Sequence, residues 1–417
     1  MRVFIILIAA SVLFAETGQP VRLRPLLQEA LDRNPEVLAA QKRYEAARLR
    51  TPQASALPET MVSLGYSSAG NPRPFAGIGV EPTANAGVMV TQELPYPGKR
   101  RLRGAIAGRE AEAEFQQYQA AQLSVMSRLK TSYQRLVTDY DEIPLLEATR
   151  DIVREMLRVT EVRYAAGDAA QQDLFKAQTQ ISALELRLER LRQEIRSREA
   201  ELNSLLARPP GTPLGRPAPI PSPAEWNATP EELLHDAQAN APMLRRDRKM
   251  VERGELAVNL ARKDFLPDYA LSGGYFNMGS MPDMYQFRLD LKLPLFNRAK
   301  LRAGVAEQVA ALSASRRDYE ASEQNIAYRI RDDWEMAATS RKLMAIYRDT
   351  LIPQARLTLE SSLPSYQTGK IEFLTLLNNA LAVLDYESGL LEERQNFHLA
   401  LIRLEEMTGV ELLKVDQ

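Results

Sequence analysis

Val88-Met89-Val90-Thr91-Gln92-Glu93-Leu94-Pro95-Tyr96-Pro97-Gly98-Lys99-Arg100-Arg101-Leu102-Arg103 reads as a strand, a closing turn and the start of a helix. Val88, Val90 and Leu94 suit one face of a strand. Proline cannot donate to a strand ladder and glycine accepts positive φ, so Pro95 to Gly98 stops the strand and turns the chain. The passage returns roughly 200 residues later, a spacing far beyond that of a solenoid repeat. Its second copy is Phe287-Arg288-Leu289-Asp290-Leu291-Lys292-Leu293-Pro294-Leu295-Phe296-Asn297-Arg298-Ala299-Lys300-Leu301-Arg302. Here apolar and charged residues alternate strictly, giving a strand with one apolar and one charged face.

The duplication extends outward in both directions. Upstream, Leu26-Leu27-Gln28-Glu29-Ala30 matches Leu233-Leu234-His235-Asp236-Ala237, with Pro35 against Pro242. Leu57-Pro58 before Gly65-Tyr66 matches Leu266-Pro267 before Gly274-Tyr275, and downstream Tyr164-x-x-Gly167 matches Tyr366-x-x-Gly369. Each copy therefore runs helices, β-hairpin, long helices. The hairpins are expected over 61–94 and 269–293, and the long helices over 99–207 and 298–408. Pro144 and Pro353 are expected to interrupt the first long helix of each copy. A helix of forty residues is about 60 Å long, a reach that no compact domain needs.

Leu174, Ala177, Ile181, Leu184, Leu188, Leu191 and Ile195 step by three and four, and Leu202 and Leu205 resume the pattern. That spacing argues coiled-coil packing. The last helix carries two neighbouring apolar stripes, one through Leu374, Leu377, Leu381 and Leu384, the other through Phe373, Leu376, Ala380 and Val383. Two stripes imply partners on two sides, as in a wall of helices. The chain accordingly divides into a first repeat at 16–208, a proline-rich linker at 209–228 and a second repeat at 229–417.

Composition narrows the function. Lys+Arg 53 against Asp+Glu 54 gives no electrostatic reason to expect nucleic acid. With no cysteine, thiolate metal sites, disulfides and cysteine nucleophiles are excluded. His235 and His398 read as ordinary polar residues, and no P-loop, dinucleotide fingerprint or paired-histidine motif is present. An enzyme is not expected, and no cofactor. Arg2, the apolar run Val3 to Phe14 and Ala15 read as a secretory signal peptide over 1–15.

An isolated pair of hairpins makes no stable sheet in water, and four strands fall short of a membrane barrel, which starts near eight. Sharing a barrel among subunits resolves both problems. On these features the chain resembles the TolC-like outer-membrane efflux proteins. The features are the duplication, the helix–hairpin–helix order, the Glu93-Leu94-Pro95-Tyr96-Pro97-Gly98-Lys99 transition and the paired Tyr-x-x-Gly turns. The proline-glycine-lysine transition is most similar to the heavy-metal and cation efflux branch.

The resemblance implies a mainly α fold with a small β part: an α-barrel of long antiparallel helices and a trimeric outer-membrane β-barrel. It implies a homotrimer in outer-membrane lipid, extending into the periplasm. Its partners would be a periplasmic membrane-fusion adaptor and an inner-membrane pump of the resistance-nodulation-division type. It also implies a periplasmic aperture. In the family an acid six residues after the first turn glycine meets a tyrosine before the second glycine and an arginine after it. These positions are Asp173, Tyr366 and Ile371, with Lys370 beside the last, so a Lys370–Asp173 pair is an open expectation. Positions where members carry pore-ringing aspartates are Thr375 and Asn378 here, with Glu372 as a substitute acid. Arg163, Ala166, Gly167, Asp168 and Gly369 would form the turns that dock the adaptor. Met278, Met281 and Met284 fall in the second hairpin loop with a spacing that soft ions such as Cu(I) favour, or simply pack the loop. A protein-secretion outlet and a soluble periplasmic coiled-coil scaffold remain the rival readings.

Overall fold

The computed structural model describes residues 20–70, 73–222, 226–294 and 296–413; the expected signal peptide at 1–15 lies outside them. The first repeat holds α1 (Leu23–Arg33), α2 (Pro35–Ser55), β1 (Met61–Ser67), β2 (Asn85–Leu94), α3 (Lys99–Ala165) and α4 (Gln171–Leu205). The second holds α5 (Pro230–Asn240), α6 (Pro242–Lys263), β3 (Asp268–Asn277), β4 (Met284–Lys292), α7 (Arg298–Ile346), α8 (Ile352–Gln367) and α9 (Phe373–Thr408). The fold is mainly helical, with long helices and one small sheet.

Pro144 does not interrupt α3, which runs unbroken for 67 residues, about 100 Å. A mid-helix proline costs roughly 3 kcal/mol. Around it Tyr133, Leu136, Leu146 and Val153 are all buried in one core cluster with α4 and α9, and that packing holds the helix together. In the second repeat the equivalent helix does change at its proline. A π-helical segment, Tyr347–Leu351, joins α7 to α8 just before Pro353, where the missing N–H already disrupts the α ladder.

The heptad of α4 is its buried face: Ala177, Leu184, Leu188, Leu191, Ile195, Leu202 and Leu205 are all buried. The linker is not a loose tether. Val21 and Pro217 form a parallel bridge, and the Tyr133 hydroxyl lies 2.6 Å from the Val21 carbonyl and 2.7 Å from that of Ala218. Leu214 and Ile220 enter the core. Ser222 Oγ lies 2.8 Å from His398 Nε2, while His398 Nδ1 lies 2.8 Å from Gln134 Oε1. Burial pushes the His398 imidazole down to about 4.

The two hairpins join into one antiparallel sheet of order β1-β2-β3-β4. Val62↔Val90, Val90↔Gly273 and Gly273↔Phe287 fix its register. Because directly opposed side chains share a face, Val62, Leu64, Val88, Val90, Leu271, Tyr275, Phe287, Leu289 and Leu291 fall together. Ser63, Thr91, Glu93, Ser272, Gln286, Arg288 and Asp290 occupy the other face. There Thr91 Oγ1 and Ser272 Oγ are hydrogen-bonded at 3.0 Å. Both outer edges, along β1 and β4, are unpaired among the described residues.

The joint between sheet and helix explains the quoted stretch. Gly98 has φ +91, which only glycine adopts without strain. Lys99 is buried and donates from Nζ to Asp268 at 2.9 Å, with Asp264 at 3.4 Å. The Tyr96 backbone N–H donates to the same Asp268 carboxylate at 2.8 Å. Lysine is needed here because the end of α6 and the start of β3 each present a carboxylate, Asp264 and Asp268, to a closed joint.

Candidate functional site

Two helical turns stand at one end of the long helices. In the first, the Gly167 N–H donates to Tyr164 O and the Asp168 N–H to Arg163 O, at 3.0 and 2.8 Å. In the second, Gly369 donates to Tyr366 O and Lys370 to Ser365 O, also at 3.0 and 2.8 Å. Both are Schellman turns with glycine in the left-handed region, at φ +85 and +73. The recurring tyrosine and glycine are thus the acceptor and donor of the inner bond of each turn. Ala166 and Asp168 are exposed.

The two tyrosines play different parts. Tyr164 is exposed, whereas Tyr366 is buried. The Tyr366 hydroxyl lies 3.0 Å from Thr160 Oγ1. Thr160 spends its own proton on Met156 O at 2.8 Å, so Tyr366 is the donor. Phe373, the first residue of α9, meets the Tyr366 ring edge-on at 5.9 Å. Arg163 covers the same ring at 4.6 Å. One of its nitrogens donates to Tyr366 O and the other to Asp168 O at 3.1 Å. A single guanidinium therefore fastens the first turn to the second.

The acid and lysine expected at this lock lie elsewhere. Asp173 sits in the first turn of α4, where its charge suits the helix end, with Lys176 of the same helix at 3.9 Å. Lys370 forms no ion pair with it among the described residues, so the Lys370–Asp173 contact is absent within the chain. Glu372 is the N-cap of α9, and Glu372, Thr375 and Asn378 are exposed on its first turns. Thr160 was not foreseen. Its only sequence signal is its i, i+3 spacing from Arg163, which puts both on one face of α3. Around the turns Val162 and Phe175 are 71% and 57% exposed, large apolar side chains in water beside the glycines.

At the far end, the sheet's apolar face is open. Leu64 is 84% exposed, Phe287 87%, and Leu289 and Leu291 more than half exposed. Tyrosines bracket it: Tyr275 and Tyr285 pair at 5.6 Å at one end, Tyr96 and Tyr269 stack at 6.3 Å at the other. Phe296, just beyond, is 97% exposed. No described helix is long and apolar enough to cross a membrane. The three methionines are not all in the loop: Met284 opens β4 opposite Phe276, and only Met278 and Met281 lie in the tip.

Residues 26–208 and 233–410 match the family described as outer membrane efflux protein. The multidrug resistance outer membrane protein MdtP of Escherichia coli O6:H1 is 23% identical over 322 residues, covering 74% of this chain and 64% of that protein. The chain's match thus spans less than two thirds of that relative. The solvent efflux pump outer membrane protein SrpC of Pseudomonas putida is 24% identical over 392 residues, covering 88% of this chain and 81% of its own. The crystal structure of the outer membrane protein VceC from Vibrio cholerae superposes with a TM-score of 0.79 at 19% identity, covering 93% of this chain and 96% of that one.

Proposed function

This chain belongs to the outer membrane efflux protein family, and we propose that three copies of it form the outer-membrane duct of a tripartite efflux system. One observation carries the reading: a four-stranded sheet has two unpaired edges and one exposed apolar face bracketed by tyrosines. In water such a sheet is an aggregation hazard. In a trimer, β4 of one subunit pairs with β1 of the next and closes about twelve strands, within the range of outer-membrane barrels. A nine-residue β4, tilted about 45°, is roughly 20 Å tall, close to the apolar band of such barrels. The polar face then lines the lumen, and the roughly 100 Å of α3 carries the duct into the periplasm.

The turns form the periplasmic mouth. Arg163, Tyr366 and Thr160 hold the two helical hairpins of each subunit as one body, and Glu372, Thr375 and Asn378 line the opening. A ring rich in uncharged Thr and Asn holds multivalent cations more weakly than a carboxylate ring. Exposed Val162, Tyr164 and Phe175, beside Gly167, Asp168 and Gly369, offer an apolar landing for a periplasmic adaptor, through which an inner-membrane pump supplies the energy.

The cargo is small organic molecules, in keeping with relatives named for multidrug resistance and solvent efflux. The Pro97-Gly98-Lys99 motif that resembles the cation branch has a structural task at the joint, so it carries no argument for metal cargo. The test is reconstitution. Purified protein floats with liposomes and gives discrete conductance steps in planar bilayers; protein that stays in the aqueous fraction without detergent refutes the reading.

A further inference from the structure

Directly below the inner end of the apolar sheet face, the chain gathers positive charge. Residues 95–103 and 294–302 follow β2 and β4, and each contains several Lys or Arg and no acid. Arg101, Arg103, Arg298, Lys300 and Arg302 are exposed there, joined by exposed Arg262 at the end of α6. The acids of the joint, Asp264 and Asp268, already hold Lys99. Among the described residues none of the six basic side chains forms an ion pair.

The placement works against local helix stability. Both α3 and α7 carry basic residues and no acid in their first turn, where the helix dipole disfavours cations. A departure from local preference made twice, in both copies of the duplication, points to a demand from outside the helix. Its position supplies that demand. The charges begin within a turn or two of Leu293 and Phe296, 52% and 97% exposed, and of the stacked Tyr96 and Tyr269, the belt that marks a membrane–water boundary.

We propose that these residues form a cationic collar that binds the anionic phospholipid headgroups of the periplasmic leaflet. The proposal rests on the membrane reading given above. Each basic residue near an anionic surface raises partitioning about fivefold, so several acting together select phosphatidylglycerol over neutral lipid, and salt weakens the preference.

The test uses the full chain, reconstituted in bilayers of phosphatidylcholine with one quarter phosphatidylglycerol. It compares wild type with the combined variant Arg101→Gln, Arg298→Gln, Lys300→Gln, Arg302→Gln. Lipid retained after re-extraction is counted by mass spectrometry. In wild type the ratio of retained phosphatidylglycerol to phosphatidylcholine should be at least tenfold that of the bilayer, falling below twofold in the variant and in 0.5 M salt. The matching Arg→Lys variant, which keeps the charge, should behave as wild type. Equal retention of both lipids by wild type, with the protein still floating with the bilayer, overturns the collar and leaves the membrane reading intact. Changed ion selectivity of the conductance with unchanged lipid retention also overturns it, since the charges would then line the duct. Failure to enter bilayers of either composition sinks the membrane reading itself.

Discussion

Replacing Arg163 with alanine should open the periplasmic mouth. The guanidinium makes two contacts across to the second turn, with the Tyr366 carbonyl and with the Tyr366 ring at 4.6 Å, while its bond to the Asp168 carbonyl at 3.1 Å stays within the first turn. The ring contact is worth about 0.5–1 kcal/mol at a partly exposed site. Each charged hydrogen bond reaches about 1.5–3 kcal/mol when desolvated, but Arg163 is only half-buried. Tyr366 O also keeps its bond from the Gly369 N–H, and Asp168 is exposed to water, so neither acceptor is left buried without a donor. The sum is about 2 kcal/mol, a shift of roughly 30-fold toward separated hairpins. Single-channel recording in planar bilayers should show larger or longer openings for Arg163→Ala. Arg163→Lys, which keeps the charge and loses the planar fork, should lie between. Arg158→Ala removes only a surface pair with Glu155 on the same helix and should match wild type. Wild-type conductance in a folded Arg163→Ala channel would refute the clasp.

His398 is held neutral, its pKa lowered to about 4 from an unfolded value near 6.5. Between those values the unfolded chain takes up the proton first, so stability is present above pH 6.5 and is lost as pH falls toward 4, by up to about 3 kcal/mol. Burial raises Asp139 and Asp333 instead, and these act in the opposite sense. The contribution of His398 is therefore read as the difference between wild type and His398→Gln in melting temperature at pH 7 and pH 4.5, and parallel pH profiles would contradict it. Leu289→Arg places a charge on the lipid-facing side at a cost of about 2–4 kcal/mol and should reduce the membrane-inserted fraction in a flotation assay. Gln286→Arg on the opposite face should insert normally. Lys130→Met removes the partner of buried Glu405, which lies 2.6 Å away and also accepts the backbone N–H groups of Leu412 and Leu413. Leaving that carboxylate unpaired should cost about 3–5 kcal/mol in denaturant unfolding, and a loss below 1 kcal/mol would show that solvent reaches it.

Patterns with a local cause could be read from the chain alone. The heptad of α4 became its buried face, the alternation Phe287 to Leu293 became a two-faced strand, and Gly98 took the positive φ that turns the chain from strand to helix. What escaped the reading has causes distant in sequence. Pro144 is a helix breaker by its own chemistry, yet Leu146, Val153 and their neighbours bury around it and keep α3 whole. The pairing of β2 with β3, which fuses the two copies into one sheet, leaves no mark in either strand. Thr160 and Arg163, which hold Tyr366, lie about 200 residues away on α3, and this arginine stands four residues before the first turn glycine, whereas the family pattern has one two residues after the second, at Ile371. The linker reads as polyproline, but only the fold reveals Tyr133 bonding across it to Val21 and Ala218.

The absence of cysteine makes the decisive measurement a clean one. Introducing Ser63→Cys on β1 together with Gln286→Cys or Arg288→Cys on β4 puts thiols on the polar face of both open edges. Oxidation in detergent should yield disulfide-linked dimers and a cyclised trimer on non-reducing gels, since the proposed trimer sets β4 of one subunit against β1 of the next. A product that stays at the mass of one chain under oxidation, with both thiols free, would contradict a barrel closed by three copies.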